Sequence, residues 1–245
     1  MKLEIDNLSI TFEGQTILDG LTFGIKEGEF VSLLGPSGCG KSTILNILAG
    51  LVKPERGRVC VDGDEVQGTS EHFAYMPQED LLLPWKTILD NVCLYGAIHG
   101  EKAEAAKRAR ALFPVFGLAG YEDAYPAALS GGMRQRAAFL RTAMCKADIL
   151  LLDEPFGALD VITRGDMQDW LQTMRSQLGK TTLLVTHDID EAIYLSDRIL
   201  VLNGRPATVR EEITISERTR DRDWLYAQGA LRTRIHHLLR EEAGA

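Results

Sequence analysis

The sequence predicts an α/β fold: a mostly parallel sheet with an antiparallel β subdomain at the N-terminal end and an inserted helical subdomain. Three observations predict it. Residues 35–43, GPSGCGKST, lie between a short apolar run, FVSLL at 30–34, and a helical run at 44–49 that ends at Gly50. Residues 149–152, ILLL, form a continuous aliphatic run of the kind found in a strand buried on both faces, and end in Asp153-Glu154-Pro155. Between these two landmarks, from Glu79 to about Lys146, the pattern changes from strand-like to helical, as an insertion would.

The stretch 35–43 is the one around which the rest is arranged. Strand, glycine-rich turn and helix in that order make a phosphate cradle. Gly35, Gly38 and Gly40 are read as positive-φ positions that turn backbone N–H groups inward on an anion. Pro36, Ser37 and Cys39 fill the free positions between them, and the helix that follows adds unpaired amides and its positive end. Lys41 supplies an ammonium for the β and γ phosphates, and the Ser42 hydroxyl, with Thr43 beside it, is placed to ligate Mg²⁺.

The bulk numbers bound what surrounds this loop. A chain of 245 residues holds one large α/β domain or two small ones, and 45% hydrophobic residues supply a core without staples. The net charge of −8, from 27 basic and 35 acidic residues, argues against blanket binding to nucleic acid. Basic residues at 107–110 and 205–222 are read as solvated helix faces. Cys39, Cys60, Cys93 and Cys145 stand far apart with no C-x-x-C pair, which argues against a metal knuckle and for a reducing cytosolic compartment. Cys39 reads as a small residue that fits the loop, with a redox switch as the alternative. The N-terminus lacks a signal-peptide core, and no apolar run approaches the roughly 18 residues of a membrane helix.

Taken in order, residues 1–30 read as antiparallel strands with a turn at Gly14, and Phe12 on their edge is either core or a platform for a base. A hairpin follows around Val59 and Val61, punctuated by Pro54, Gly57 and Gly63, and then a strand at 73–76 ending at Pro77-Gln78. Helices begin at Thr87 and span 101–113, the second with Ala105, Ala109, Leu112 and Phe113 on one side and Pro114 at its end. After the aliphatic strand, a helix over 161–177 closes at Gly179, and a buried strand over 181–185 ends at Thr186-His187-Asp188. A hairpin through Asn203-Gly204 and one terminal helix over 223–241 complete the chain. These boundaries place the α/β and antiparallel core in 1–78 and 147–215, the helical subdomain in 79–146, and a helical tail in 216–245.

Two further clusters carry chemistry. Asp153, at the carboxyl end of its strand, holds Mg²⁺ directly or through water, and Glu154 beside it orients or deprotonates an attacking water. Leu129-Ser130-Gly131-Gly132-Met133 opens another helix, with bare amides and a hydroxyl shaped to meet a second phosphate. One nucleotide does not easily need two such helix ends from one subunit. A second copy arranged head to tail resolves this.

With these motifs in place, the sequence resembles the ATP-binding subunit of ABC transporters over essentially its whole length. The resemblance implies a P-loop NTPase core, RecA-like. It implies Phe12 as the adenine-stacking aromatic, GPSGCGKST as Walker A, and Gln78 as the Q-loop glutamine near the metal. LSGGM is the signature, ILLLDE the Walker B with Glu154 as catalytic base, Ala158-Leu159-Asp160 the D-loop, and His187 the switch histidine. Met133 departs from the commoner Gln and Phe12 from the frequent Tyr, and neither supplies an irreplaceable group. The cofactors implied are ATP and Mg²⁺.

The segment Leu82-Leu83-Pro84-Trp85 beyond Gln78 suits a groove that grips a partner, the other reading being a Trp that caps the helical subdomain's own core. With the short helical tail, it is similar to importers of the nitrate, sulfonate and taurine group, and to those for thiamine-pyrimidine precursors. The implied partners are a second ATPase subunit, two membrane permease subunits and, indirectly, an extracytoplasmic solute-binding protein, with the chain peripheral on the cytoplasmic face of the membrane. The alternative is a non-transport ABC ATPase of the cluster-assembly or DNA-repair type, although no long coiled-coil insertion is present. A module that holds ATP without turnover is disfavoured by Glu154 and His187.

Overall fold

The computed structural model describes residues 1–157, 159–217 and 219–240. Two sheets frame it. The smaller is antiparallel, in the order β2 (Gln15–Ile25), β1 (Leu3–Phe12), β4 (Arg56–Val61), β5 (Asp64–Glu65). Leu3, Ile5, Leu8 and Ile10 of β1 and Leu18, Leu21, Phe23 and Ile25 of β2 turn inward, following the alternation in the sequence. The larger sheet has six strands in the order β10 (Thr208–Thr214), β9 (Arg198–Asn203), β3 (Phe30–Leu34), β8 (Thr181–Thr186), β7 (Ile149–Asp153), β6 (Phe73–Met76). All its pairings are parallel except the β9–β10 hairpin. Every residue of β3, β7 and β8 is buried, because both faces are covered.

One face of this sheet, through Val31, Leu33, Leu151, Leu183 and Val185, packs against α1 (Lys41–Leu48) and the antiparallel sheet. The other, through Leu34, Leu150, Leu152 and Leu184, shares a core with α2 (Ile88–Val92), α4 (Lys102–Leu112) and α5 (Gly131–Ala143), and with α6 (Val161–Leu178). A short α3 (Leu94–Ile98) lies between α2 and α4. Phe113 and Phe116 are fully buried there, and Trp170 meets Phe116 and Phe139 edge-on. Caps set the helix starts: Thr87 accepts from the Asp90 amide for α2, and Asp160 accepts from the amides of Ile162 and Thr163 for α6. Gly179, at φ 58°, closes α6.

The sequence reading is corrected in four places. The helix after the phosphate loop starts at Lys41, three residues earlier than its apolar pattern suggests, because Gly40 caps it in a left-handed conformation. The terminal helix is two helices, α8 (Arg222–Tyr226) and α9 (Gly229–Arg240), broken where Gln228 bonds back to Leu225. A helix absent from the sequence reading, α7 (Ile189–Leu195), follows β8, with Asp188 as its N-cap. The basic residues of 205–222 are not one solvated helix face. Of those described, Arg205 lies on a turn, Arg210 on β10, Arg220 in a loop and Arg222 at the start of α8, and the buried guanidinium of Arg220 donates to the carbonyls of Tyr194 and Ser196 at the end of α7.

Candidate functional site

The loop 35–43 runs from the carboxyl end of β3 into the start of α1. Gly38 and Gly40 have φ 76° and 103° and need glycine for that reason. Gly35 does not take a positive φ, contrary to the sequence reading. It is glycine because a β-carbon there would stand 2.9 Å from both the Cys39 sulfur and the Leu202 carbonyl. Cys39 is buried beneath the loop, and burial pushes its thiol pKa up, away from the reactive thiolate. Pro36, Ser37 and Gly38 form the exposed lip, with Thr43 half-buried behind it. The Lys41 side chain is buried, and its Nζ donates to the carbonyls of Gly35 (2.8 Å) and Pro36 (2.9 Å), which folds the ammonium back over the cradle.

Across the sheet edge, Ser42 Oγ donates to Asp153 Oδ1 at 3.2 Å, and Tyr75 on β6 donates its hydroxyl to Asp153 Oδ2 at 3.2 Å. Burial raises the Asp153 pKa against the pull of these two bonds, and the neighbouring Glu154 raises it further. Burial and the adjacent carboxylate push the Tyr75 phenol up to about 12. A buried carboxylate with raised proton affinity, beside an exposed hydroxyl, fits a hard divalent cation. Among the described residues no three His, Cys, Asp or Glu side chains cluster to enclose a metal.

Glu154 follows β7 at φ 42°, a left-handed conformation rare for a side-chain-bearing residue and typical of functional turns. Its amide donates to the Val185 carbonyl at 2.9 Å and its carbonyl accepts from Gly157, so the turn is held at both ends. His187 Nδ1 stands 3.0 Å from Glu154 Oε2, while half of the imidazole remains open to solvent. A β-carbon at Gly157 would lie 3.4 Å from Gln78 Nε2 and 3.7 Å from Glu154 Oε2, so Gln78 and Glu154 converge on this glycine. Glu154, His187 and Gln78 are thus brought together, as are Ser42 and Asp153.

Other sequence-predicted residues stand apart. Ser130 caps α5, its Oγ accepting from the Met133 amide at 3.3 Å, which leaves its O–H to donate elsewhere. Gly131 and Gly132 pack on Leu159 and Thr163, at the start of α6. Among the described residues, no hydrogen bond joins this helix start to the loop 35–43 within the protomer. Asp160 is exposed and spends its carboxylate on capping α6; Ala158, predicted in the same loop, lies outside the described residues. Phe12, 44% exposed, ends β1 on the ribbon whose Ile17 and Leu18 lie against Gly40.

Two groups at the site escaped the sequence reading. Tyr75 reads there as an ordinary strand residue. Arg205, on the β9–β10 turn, places its guanidinium against Gly38, and only the parallel pairing of β9 with β3 reveals that proximity.

A glycine-lined anion loop, an ammonium folded onto it, and a hydroxyl–carboxylate pair at the carboxyl edge of a parallel sheet define a nucleotide-hydrolysing protein of the phosphate-loop class. The family model for ABC transporters matches residues 18–157. The taurine import ATP-binding protein TauB of Pseudomonas aeruginosa is 44% identical over 219 residues, covering 87% of this chain and 83% of its own. The formylaminopyrimidine import ATP-binding protein ThiZ of Halalkalibacterium halodurans is 45% identical over 206 residues, covering 83% and 80%. Among solved structures, the dimeric ATP-binding cassette MJ0796, in a post-hydrolysis state bound to ADP and phosphate, is 31% identical with a TM-score of 0.74, covering 88% of this chain and 99% of its own. The chain belongs to the ABC transporter family, as one of its ATP-hydrolysing cassettes.

Proposed function

We propose that the chain energises an importer for a small anionic or organic solute of the taurine, sulfonate or pyrimidine-precursor kind, working as a head-to-tail dimer on two membrane permease subunits at the cytoplasmic face. The observation that carries this reading is the separation of two phosphate-seeking helix starts in one protomer. The loop 35–43 and Ser130–Gly131–Gly132 do not meet, and each offers what a triphosphate needs on opposite sides. A second copy brings them together. Phe12 stacks on the base, Lys41 and Arg205 neutralise phosphate charge, and the partner's signature helix closes the other side. Asp160, exposed at the start of α6, lies at the same seam.

Ser42 and Asp153, with Gln78 nearby, would hold Mg²⁺, which would supply charge neutralisation for the β and γ phosphates. Glu154 takes the proton of the attacking water, and His187 steadies the γ-phosphate from the other side of that carboxylate. Two observations favour the importer over a non-transport ATPase. The relatives carry import names, and the segment after Gln78 leaves Leu81 and Trp85 outside the core, Trp85 at 70% exposure. No helix among the described residues is long and apolar enough to cross a membrane, so coupling to a membrane passage runs through such contacts.

Glu154→Gln is expected to retain ATP binding and lose turnover by about 10²-fold or more in a phosphate-release assay. His187→Ala and Lys41→Ala also lose turnover, Lys41→Ala with weaker ATP binding. Wild-type turnover in Glu154→Gln overturns the base assignment.

A further inference from the structure

Glu191 on α7 is a buried carboxylate, 4% exposed, that the hydrolysis scheme above does not use. Among the described residues, no cation is hydrogen-bonded or ion-paired with it. Its Oε2 accepts from the Thr186 hydroxyl at 2.6 Å, and its Oε1 accepts from Gln168 Nε2 on α6 at 3.2 Å. Thr186 Oγ1 in turn accepts from the Asp188 amide at 3.0 Å, and Asp188 Oδ1 accepts from the amide of Glu191 itself at 3.1 Å. Of the chain neighbours of His187, Thr186 is therefore tied to the Glu191 side chain, and Asp188 to the Thr186 hydroxyl and the Glu191 backbone amide, while the imidazole between them reaches Glu154.

The far end of the network is anchored outside the nucleotide site. Gln168 Oε1 accepts from Arg222 Nη1 at 3.0 Å, and Arg222 Nε donates to Asp169 at 2.8 Å. Arg222 opens α8, so the line Arg222–Gln168–Glu191–Thr186 runs from the C-terminal segment to the residue before His187. A second tie acts in parallel: Arg164 on α6 donates to the Leu159 carbonyl at 3.2 Å and pairs with Asp188 at 3.8 Å.

We propose that Glu191 is a positioning residue for His187, acting through Thr186 and Asp188 and anchored through Gln168 to Arg222. The proposal rests on the role given to His187 above. A carboxylate buried without a contacting cation is costly, and burial pushes this one up to about 7 against the pull of the Thr186 hydroxyl. Both of its oxygens serve as acceptors in these bonds. An amide in its place keeps one acceptor oxygen: if that oxygen takes Gln168, the Thr186 hydroxyl faces an N–H and its own proton loses its acceptor, and if it takes Thr186, two amide N–H groups face each other. His187 then loses its fixed approach to Glu154, which affects the chemical step rather than ATP capture.

The test is steady-state ATP hydrolysis by the purified protein as four variants: Glu191→Gln, Thr186→Val, Thr186→Ser and Arg222→Gln, with His187→Ala as reference. Glu191→Gln and Thr186→Val are expected to lower kcat about tenfold with KM for ATP within about twofold, and Thr186→Ser, which keeps the hydroxyl, to recover most of the loss. Arg222→Gln, near the surface, leaves the buried bonds in place and lowers kcat about two- to threefold. If Glu191→Gln does not fold, the Thr186 pair and Arg222→Gln decide the matter. Equal turnover in Thr186→Val, Thr186→Ser and wild type overturns the relay, as does a loss that falls on KM. If His187→Ala also turns over at the wild-type rate, the assignment of the switch fails and the relay with it. If His187→Ala is slow while the relay variants are not, only the relay fails.

Discussion

At the scale of single residues, space and charge decide more than propensity. Gly35 has an ordinary backbone conformation, yet the Leu202 carbonyl and the Cys39 sulfur leave no room for a methyl group. Gly35→Ala is expected to cost about 1–3 kcal/mol of stability and to weaken ATP binding, read by thermal unfolding and nucleotide titration. An unaltered melting temperature contradicts this account of the position. Glu191 makes a second residue-scale prediction. Its pKa in the folded state, about 7, lies above the 4.5 of a free glutamate, so the folded state holds more protons between these values. Stability from this group is therefore full below about 4.5 and is lost as pH rises to about 7, a span of the order of 3 kcal/mol. Denaturant titrations at pH 5 and pH 8 should show Glu191→Gln gaining stability relative to wild type at the higher pH. A difference that does not change with pH contradicts the assignment.

At the scale of elements, the segment after Gln78 shows how an exposed loop is held in one shape. Leu81 takes φ 42°, and Arg141 on α5 donates to the carbonyls of Asp80 (2.6 Å) and Leu81 (2.7 Å). Arg134, on the same helix, pairs with Asp80 at 3.0 Å. Asn91 satisfies the turn from within, accepting from the Leu83 amide and donating to the carbonyls of Leu83, Lys86 and Thr87. Leu82 is buried while Trp85 is not, so Trp85 does not cap the helical core. Trp85→Ala should change stability by no more than about 0.5 kcal/mol and abolish co-purification with co-expressed membrane subunits. A clear drop in melting temperature with co-purification intact points to a structural role.

These elements also show what the sequence makes legible. The buried strands β3, β7 and β8 announce themselves as short, mostly apolar runs, and the helices capped by Thr87, Ser130 and Asp160 start where the sequence places them. The phosphate loop, Asp153 and Glu154 follow from their position after such strands. What did not show has a common cause. Helix α7 is too short, at seven residues, for a periodic signal. Tyr75, Arg205 and Glu191 belong to the site through neighbours 78 residues away (Asp153), on a parallel strand, or across two helices. Pairing across a parallel sheet leaves no local trace in the sequence. The break between α8 and α9 falls at Gly229, a signal masked in the sequence by Trp224 and Leu231, which keep helical spacing across it.

At the scale of the whole molecule, the architecture is two sheets around one phosphate loop, with helices α2–α5 presenting a second anion-seeking helix start away from it. On the proposed reading, each protomer is incomplete toward a triphosphate. The exposed Val161 and Ile162 beside Asp160 fit a face that a second copy covers. The most direct measurement is the mass of Glu154→Gln by light scattering, with saturating ATP and Mg²⁺ and then without nucleotide. A dimer that forms with ATP and falls apart without it is the predicted result. Protomers that stay monomeric with ATP bound and uncleaved would contradict the account.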